Sequence, residues 1–137
     1  MLKGQATPYL TFDGNAQEAL DFYAKAFGAE IQEVKKFGEA DFPTPPEAAD
    51  RIMHARFSKG DFLIMVSDSF LGQPVNIGNN VSLAVTFESD DEIQAVYDVL
   101  KEGGTTHMEL QDTFWNSKYA KVQDKFGVIW NLDFPKG

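Results

Sequence analysis

Residues 11–65 of this chain recur, in altered wording, as residues 86–132, and this internal repeat restricts the possible folds more than any other feature. In the first copy, Thr11-Phe12-Asp13 leads through Asn15-Ala16-Gln17-Glu18 into Ala19-Leu20-Asp21-Phe22-Tyr23 and closes at Phe27-Gly28. In the second, Thr86-Phe87-Glu88 leads through Ser89-Asp90-Asp91-Glu92 into Ile93, Val96, Tyr97 and Leu100 and closes at Gly103-Gly104. Each copy reads as a strand followed by a helix. Ala16, Ala19, Leu20, Tyr23 and Phe27 form one apolar stripe at helical spacing, and Ile93, Val96, Tyr97 and Leu100 form another. Asn15 with Glu18, and Ser89 with Glu92, have the spacing at which a cap side chain and the residue three further on satisfy free amides reciprocally. Glycine is expected to stop both helices.

The correspondence continues beyond the helices. His54-Ala55-Arg56-Phe57 answers Tyr119-Ala120-Lys121-Val122, and Phe62-Leu63-Ile64-Met65 after Gly60 answers Ile129-Trp130-Asn131-Leu132 after Gly127. Both read as a hairpin turning at glycine. One further β-rich run, Ala29 to Phe37 or Thr105 to Leu110, precedes each hairpin, so the repeated unit is β-α-β-β-β. The chain is therefore expected to be α+β, one domain of two βαβββ modules at about 5–68 and 81–134, joined by a linker at 69–80.

With 137 residues and 43% apolar content the chain can bury a substantial core. No run approaches the roughly 20 apolar residues that span a bilayer. Met1-Leu2-Lys3-Gly4 lacks the apolar stretch of a secretory signal, and the absence of cysteine removes disulfides and thiolate zinc sites. A cytoplasmic protein is expected. The formal charge of −9 argues against a nucleic-acid partner, which requires clustered lysine and arginine. Asp90-Asp91-Glu92 fits the first turn of the second helix, where negative charge meets the positive end of the helix dipole.

Two loops interrupt the repeat: 39–50, with Pro43, Pro45 and Pro46, and 69–80, with Gly72, Pro74 and Gly78. A third irregular patch, 111–117, carries Phe114 and Trp115, which fill a core gap, meet a partner surface or contact a ligand.

Strand alternation assigns faces. Pro8, Leu10 and Phe12 oppose Thr7, Tyr9 and Thr11; Val81, Leu83, Val85 and Phe87 oppose Ser82, Ala84 and Thr86, the bulkier sets facing the helices. Ala55, Phe57, Ala120 and Val122 then lie under helices, and His54, Arg56, Tyr119 and Lys121 face the open side. In the last strand Trp130 and Leu132 are covered, and Ile129, Asn131 and Asp133 are open. Leu63, Met65 and Ser67 join the open set, and this mixed surface suits a small molecule.

Several segments, in order and nearly throughout the chain, resemble the vicinal oxygen chelate superfamily of glyoxalases, bleomycin-resistance proteins and extradiol dioxygenases. The wording is most similar to PhnB-like proteins: Pro8-Tyr9-Leu10-x-Phe12-x-Gly14-Asn15, Ala19-x-x-Phe22-Tyr23-x-x-x-Phe27-Gly28, Met65-x-Ser67-Asp68, and Asp112-Thr113-Phe114-Trp115 followed by Lys121-Val122-x-Asp124-Lys125-Phe126-Gly127-Val128. The resemblance implies cupped mixed sheets with helices outside, and a homodimer that completes the cups. Superfamily enzymes hold a divalent metal at positions that fall here on Thr7, Met65, Ser82 and Asn131. Hydroxyls, a thioether and an amide are poor ligands for such a metal, so neither the usual metal site nor any cofactor is expected. Some PhnB-like proteins carry a ubiquinone-methylation label, yet no glycine-rich turn that would cradle a nucleotide-like cofactor is present.

The expected ligand contacts are Tyr9, His54, Arg56, Trp115, Tyr119, Lys121 and Asn131. Arg56 and Lys121 occupy equivalent repeat positions and can clamp an anion if both face the cup. His54 is the candidate for acid–base work, because only histidine titrates near neutrality. The expectation is a homodimer that binds a small organic molecule without the usual metal, as bleomycin-resistance proteins sequester theirs, with no nucleic-acid or membrane partner. The alternative is a metal-dependent lyase or isomerase of glyoxalase type, its metal displaced to His54 with Asp68 or Asp133. A scaffold without a ligand is the third possibility.

Overall fold

Each copy of the repeat folds in the order its sequence gives. The first forms β1 (Tyr9–Phe12), α1 (Ala16–Phe27), β2 (Glu30–Lys36), β3 (Ile52–Lys59) and β4 (Phe62–Asp68). The second forms β5 (Leu83–Thr86), α2 (Asp90–Leu100), β6 (Thr105–Asp112), β7 (Ser117–Gln123) and β8 (Ile129–Pro135). This computed structural model describes residues 2–137; Met1, the start of the opening read as signal-free, lies outside the described residues. Contacts divide the chain into two compact units, Met1–Asn76 and Ile77–Gly137, with the division inside the expected linker.

Each unit is a four-stranded mixed sheet, ordered β1-β4-β3-β2 in the first and β5-β8-β7-β6 in the second. In both, the first strand pairs parallel with the last and the other pairings are antiparallel. The duplication reaches into the irregularities. On β2 the register passes from Gln32↔Arg56 to Lys35↔His54, and on β6 from Met108↔Lys121 to Gln111↔Tyr119. Each edge strand thus carries one extra residue at the equivalent place, a bulge that also discourages edge-to-edge pairing.

The apolar stripes are buried as the spacing predicts. Ala16, Ala19, Leu20, Tyr23 and Phe27 pack with Ala55, Phe57, Ile64 and Val66, and the Tyr23 and Phe57 rings stack at 5.4 Å. In the second unit Ile93, Val96, Tyr97 and Leu100 of α2 cover Ala120, Val122, Trp130 and Leu132. Trp130 is fully buried, and its indole N–H donates to Asp124 Oδ2 at 2.8 Å. Asp124 Oδ1 accepts the amides of Phe126 and Val128, which ties the β7–β8 turn to the core.

Four details depart from expectation. Asn15 makes no side-chain cap bond; the amides of Gly14 and Ala16 donate instead to Asp68 Oδ1 at 2.9 and 3.0 Å. The second capping site forms half of the expected pair: Ser89 Oγ accepts the Glu92 amide at 3.1 Å, while the Glu92 carboxylate accepts the Ser89 hydroxyl rather than an amide. Gly28, at φ +63°, ends α1, but α2 ends at Leu100 with Lys101 as its cap, so glycine comes after the stop. Val81 precedes β5 and is 70% exposed, because alternation holds only within a paired strand; Ile129, assigned to the open side, is buried.

Candidate functional site

In each unit the helix covers one sheet face and leaves the opposite face free of helix. On the first unit's open face the Tyr9 hydroxyl lies 2.8 Å from His54 Nδ1, with the rings edge to face at 5.7 Å. The pair is set by strand register: Tyr9 lies beside Met65, Met65 beside Arg56, and His54 two residues before Arg56 on the same face. Arg56 donates from Nε to Gln32 Oε1 at 3.1 Å and pairs with Glu33 Oε2 at 2.6 Å. Gln32 also accepts from the Ser58 hydroxyl. Glu33 sits in the bulge at φ +55°, a conformation that non-glycine residues adopt only when the surroundings over-determine it.

On the second unit's open face, the Tyr119 hydroxyl donates to Asn131 Oδ1 at 2.5 Å and Asn131 Nδ2 donates to Ser82 Oγ at 2.5 Å. Asp133 lies directly across from Tyr119 on one side and Thr86 on the other. Its Oδ1 is buried without a hydrogen-bond partner. Burial, and secondarily the Asp133 charge, push the Tyr119 hydroxyl above its ordinary pKa, so it stays a proton donor. The Trp115 ring meets Tyr119 edge to face at 6.2 Å and Phe114 at 4.9 Å. Phe114 is 97% and Trp115 53% exposed, so neither plugs the core of its own unit.

The seven expected contacts therefore fall into two groups. Tyr9, His54 and Arg56 gather on the first open face; Trp115, Tyr119, Lys121 and Asn131 gather on the second. Arg56, expected to clamp an anion with Lys121, is paired with Glu33. Lys121 forms no ion pair among the described residues. Sequence reasoning missed Gln32, which strand register sets directly across from Arg56, and Glu33, since the bulge that holds it leaves no glycine or proline as a signal. It also missed a cleft of about 440 Å³ lined by Lys35, Glu39, Asp41, Phe42 and Met53. Beside it lies an apolar groove where Phe42 meets Pro43, Pro45 and Phe70.

A divalent metal of the superfamily type does not fit these residues. Thr7 and Ser82 lie just outside β1 and β5, Met65 offers sulfur, and Asn131 is already bonded to Ser82 and Tyr119. Asp68 does not suit the displaced site. It is 4% exposed, it faces the helix side with Ile64 and Val66, and its Oδ2 accepts the Ile52 amide at 2.8 Å.

A family model described as 3-demethylubiquinone-9 3-methyltransferase matches residues 4–133. The protein YjdN of Escherichia coli K12 is 30% identical over 140 residues, covering 95% of each chain. Protein PA1353 from Pseudomonas aeruginosa superposes with a TM-score of 0.86 at 33% identity, covering 98% of this chain and 100% of that one. A protein from Bacillus cereus described as a 3-demethylubiquinone-9 3-methyltransferase, PhnB protein, gives 0.78 at 29% identity, covering 96% and 99%. For the fold alone, the glyoxylase/bleomycin resistance protein/dioxygenase domain from Frankia sp. EAN1pec gives 0.71 at 13% identity, covering 98% and 99%.

Proposed function

Because the chain belongs to the PhnB-like family described as 3-demethylubiquinone-9 3-methyltransferase, with the glyoxalase-superfamily fold, we propose that it binds a small organic molecule on its open sheet faces without the usual metal. The observation that carries this reading is the Tyr119–Asn131–Ser82 chain. It occupies two positions where the superfamily keeps metal ligands, and there the side chains satisfy one another. Such a chain presents fixed donors and acceptors to a ligand beside exposed rings. The working form is a cytoplasmic homodimer; the exposed Phe114 and Trp115 support an arrangement in which a second copy covers part of this surface.

The methyl transfer in the family's description needs a bound methyl donor. In strand-to-helix cofactor sites, free amides at the helix start hold the ligand. Here the amides of Gly14 and Ala16 are taken by Asp68, and that of Glu92 by Ser89. The residues do not fit such a donor, and no methyl-transfer step is assigned.

Metal analysis of the purified protein, with thermal unfolding against a metabolite library, tests the reading. Specific stabilisation by a metabolite, weakened in Asn131→Ala, is the expected result. Stoichiometric zinc, nickel or manganese that is lost in His54→Ala would instead overturn the metal-free reading.

A further inference from the structure

We propose that the second open face selects a protonated amine, with Asp133 as its counter-ion and the Trp115 and Tyr119 rings as the platform for its organic body; this rests on the small-molecule reading above. The starting point is an electrostatic deficit. Asp133 is half-buried, its Oδ1 has no hydrogen-bond partner, and it forms no ion pair among the described residues. A partly desolvated carboxylate without a partner is costly, and a bound cation is one way to offset that cost.

The neighbours that might satisfy Asp133 are committed elsewhere. Tyr119, directly opposite on β7, donates its hydrogen bond to Asn131 Oδ1, and Asn131 Nδ2 donates to Ser82 Oγ. On β5 the facing residue is the neutral Thr86. On β6, Gln111 lies across from Tyr119 and donates to the Glu109 carbonyl. Lys121, diagonal to Asp133 on β7, shares this face, and among the described residues it does not pair with Asp133.

The remaining requirements match an amine. An ammonium donates two or three hydrogen bonds to a carboxylate and is attracted to the faces of tryptophan and tyrosine rings. The Trp115 ring contacts Tyr119, and Tyr119 is the cross-strand neighbour of Asp133, so platform and counter-ion are contiguous. The net charge of −9 raises the local concentration of cations and lowers that of anions. A carboxylate ligand of the same shape would meet Asp133 as a like charge.

Three probes of similar shape separate the possibilities: phenethylamine, 2-phenylethanol and 3-phenylpropionate, titrated into the full chain and followed by amide chemical shifts. The expected result is that phenethylamine perturbs the amides around Tyr119, Asn131 and Asp133 and binds about tenfold or more tightly than the other two. Asp133→Asn should lose that preference, and Trp115→Ala should weaken amine binding. If the alcohol or acid binds this face as well as the amine, or Asp133→Asn keeps the preference, the amine assignment is overturned while the binding reading stands. If none of the three perturbs this face at about 10 mM, the amine assignment is overturned too, and the metabolite library then decides the broader reading separately. Asp133→Asn should melt at or above the wild-type temperature, since it removes an unpaired charge. A lower melting temperature with unchanged amine affinity assigns Asp133 a structural role and overturns the proposal.

Discussion

Asp68 closes α1 at Ala16 from 52 residues away: its Oδ1 accepts the Ala16 amide at 3.0 Å and the Gly14 amide at 2.9 Å. Its Oδ2 accepts the Ile52 amide at 2.8 Å, so one buried carboxylate joins β4, the start of α1 and the start of β3. Asp68→Ala would leave buried donors unsatisfied and should lower stability by about 3 kcal/mol. Asp68→Asn should fall between, because its amide keeps one acceptor. Denaturant unfolding of the two variants measures this, and a loss below about 0.5 kcal/mol for alanine would refute the tie.

The two helix starts should respond unequally to the same kind of change. Ser89→Ala removes the oxygen that accepts the Glu92 amide and should cost about 1 kcal/mol. Asn15→Ala removes no cap bond and should change stability by less than about 0.5 kcal/mol. A larger loss at Asn15 than at Ser89 would contradict the capping by Asp68.

These cases show how far the sequence reaches. Helix stripes, the order of elements along the chain and the buried faces of β3 and β7 follow from period and repeat, because burial enforces them. Asp68 lies on the helix side with Ile64 and Val66, against its use beside His54. Its partners could not be read, because they are backbone amides brought together only by tertiary folding. Arg56 was legible as an open-face cation, whereas its neutralisation by Glu33 depends on a bulge held at φ +55° without glycine. Tyr119 and Asn131 were named as contacts, yet the chain linking them to Ser82 needs strand register, which residue types alone do not set.

Two glycines separate backbone freedom from space. A Cβ at Gly104 would lie 2.3 Å from the Gln123 carbonyl oxygen, and neither strand can yield without breaking the β6–β7 register. Gly104→Ala should therefore cost about 3 kcal/mol or more. At Gly60, in the β3–β4 turn at φ +59°, nothing lies within 4 Å, so alanine there meets only backbone strain of about 1 kcal/mol. Urea unfolding ranks the pair, and a milder effect at Gly104 would show that the β6–β7 pairing is looser than drawn.

Tyr119 should leave a pH signature. Burial first, and the facing Asp133 charge second, raise its pKa above the ordinary value. The unfolded chain then releases this proton before the folded one does, so the folded state holds more protons once pH passes the ordinary tyrosine range. The Tyr119 contribution is therefore fully present below that range and is lost as pH rises through the folded pKa. Near-ultraviolet titration should find a late tyrosine ionisation that is missing in Tyr119→Phe. Asp133→Asn should bring that late step down without abolishing it, because burial, the larger cause, remains. If the late step is unmoved by Asp133→Asn, the Asp133 charge does not reach the Tyr119 hydroxyl.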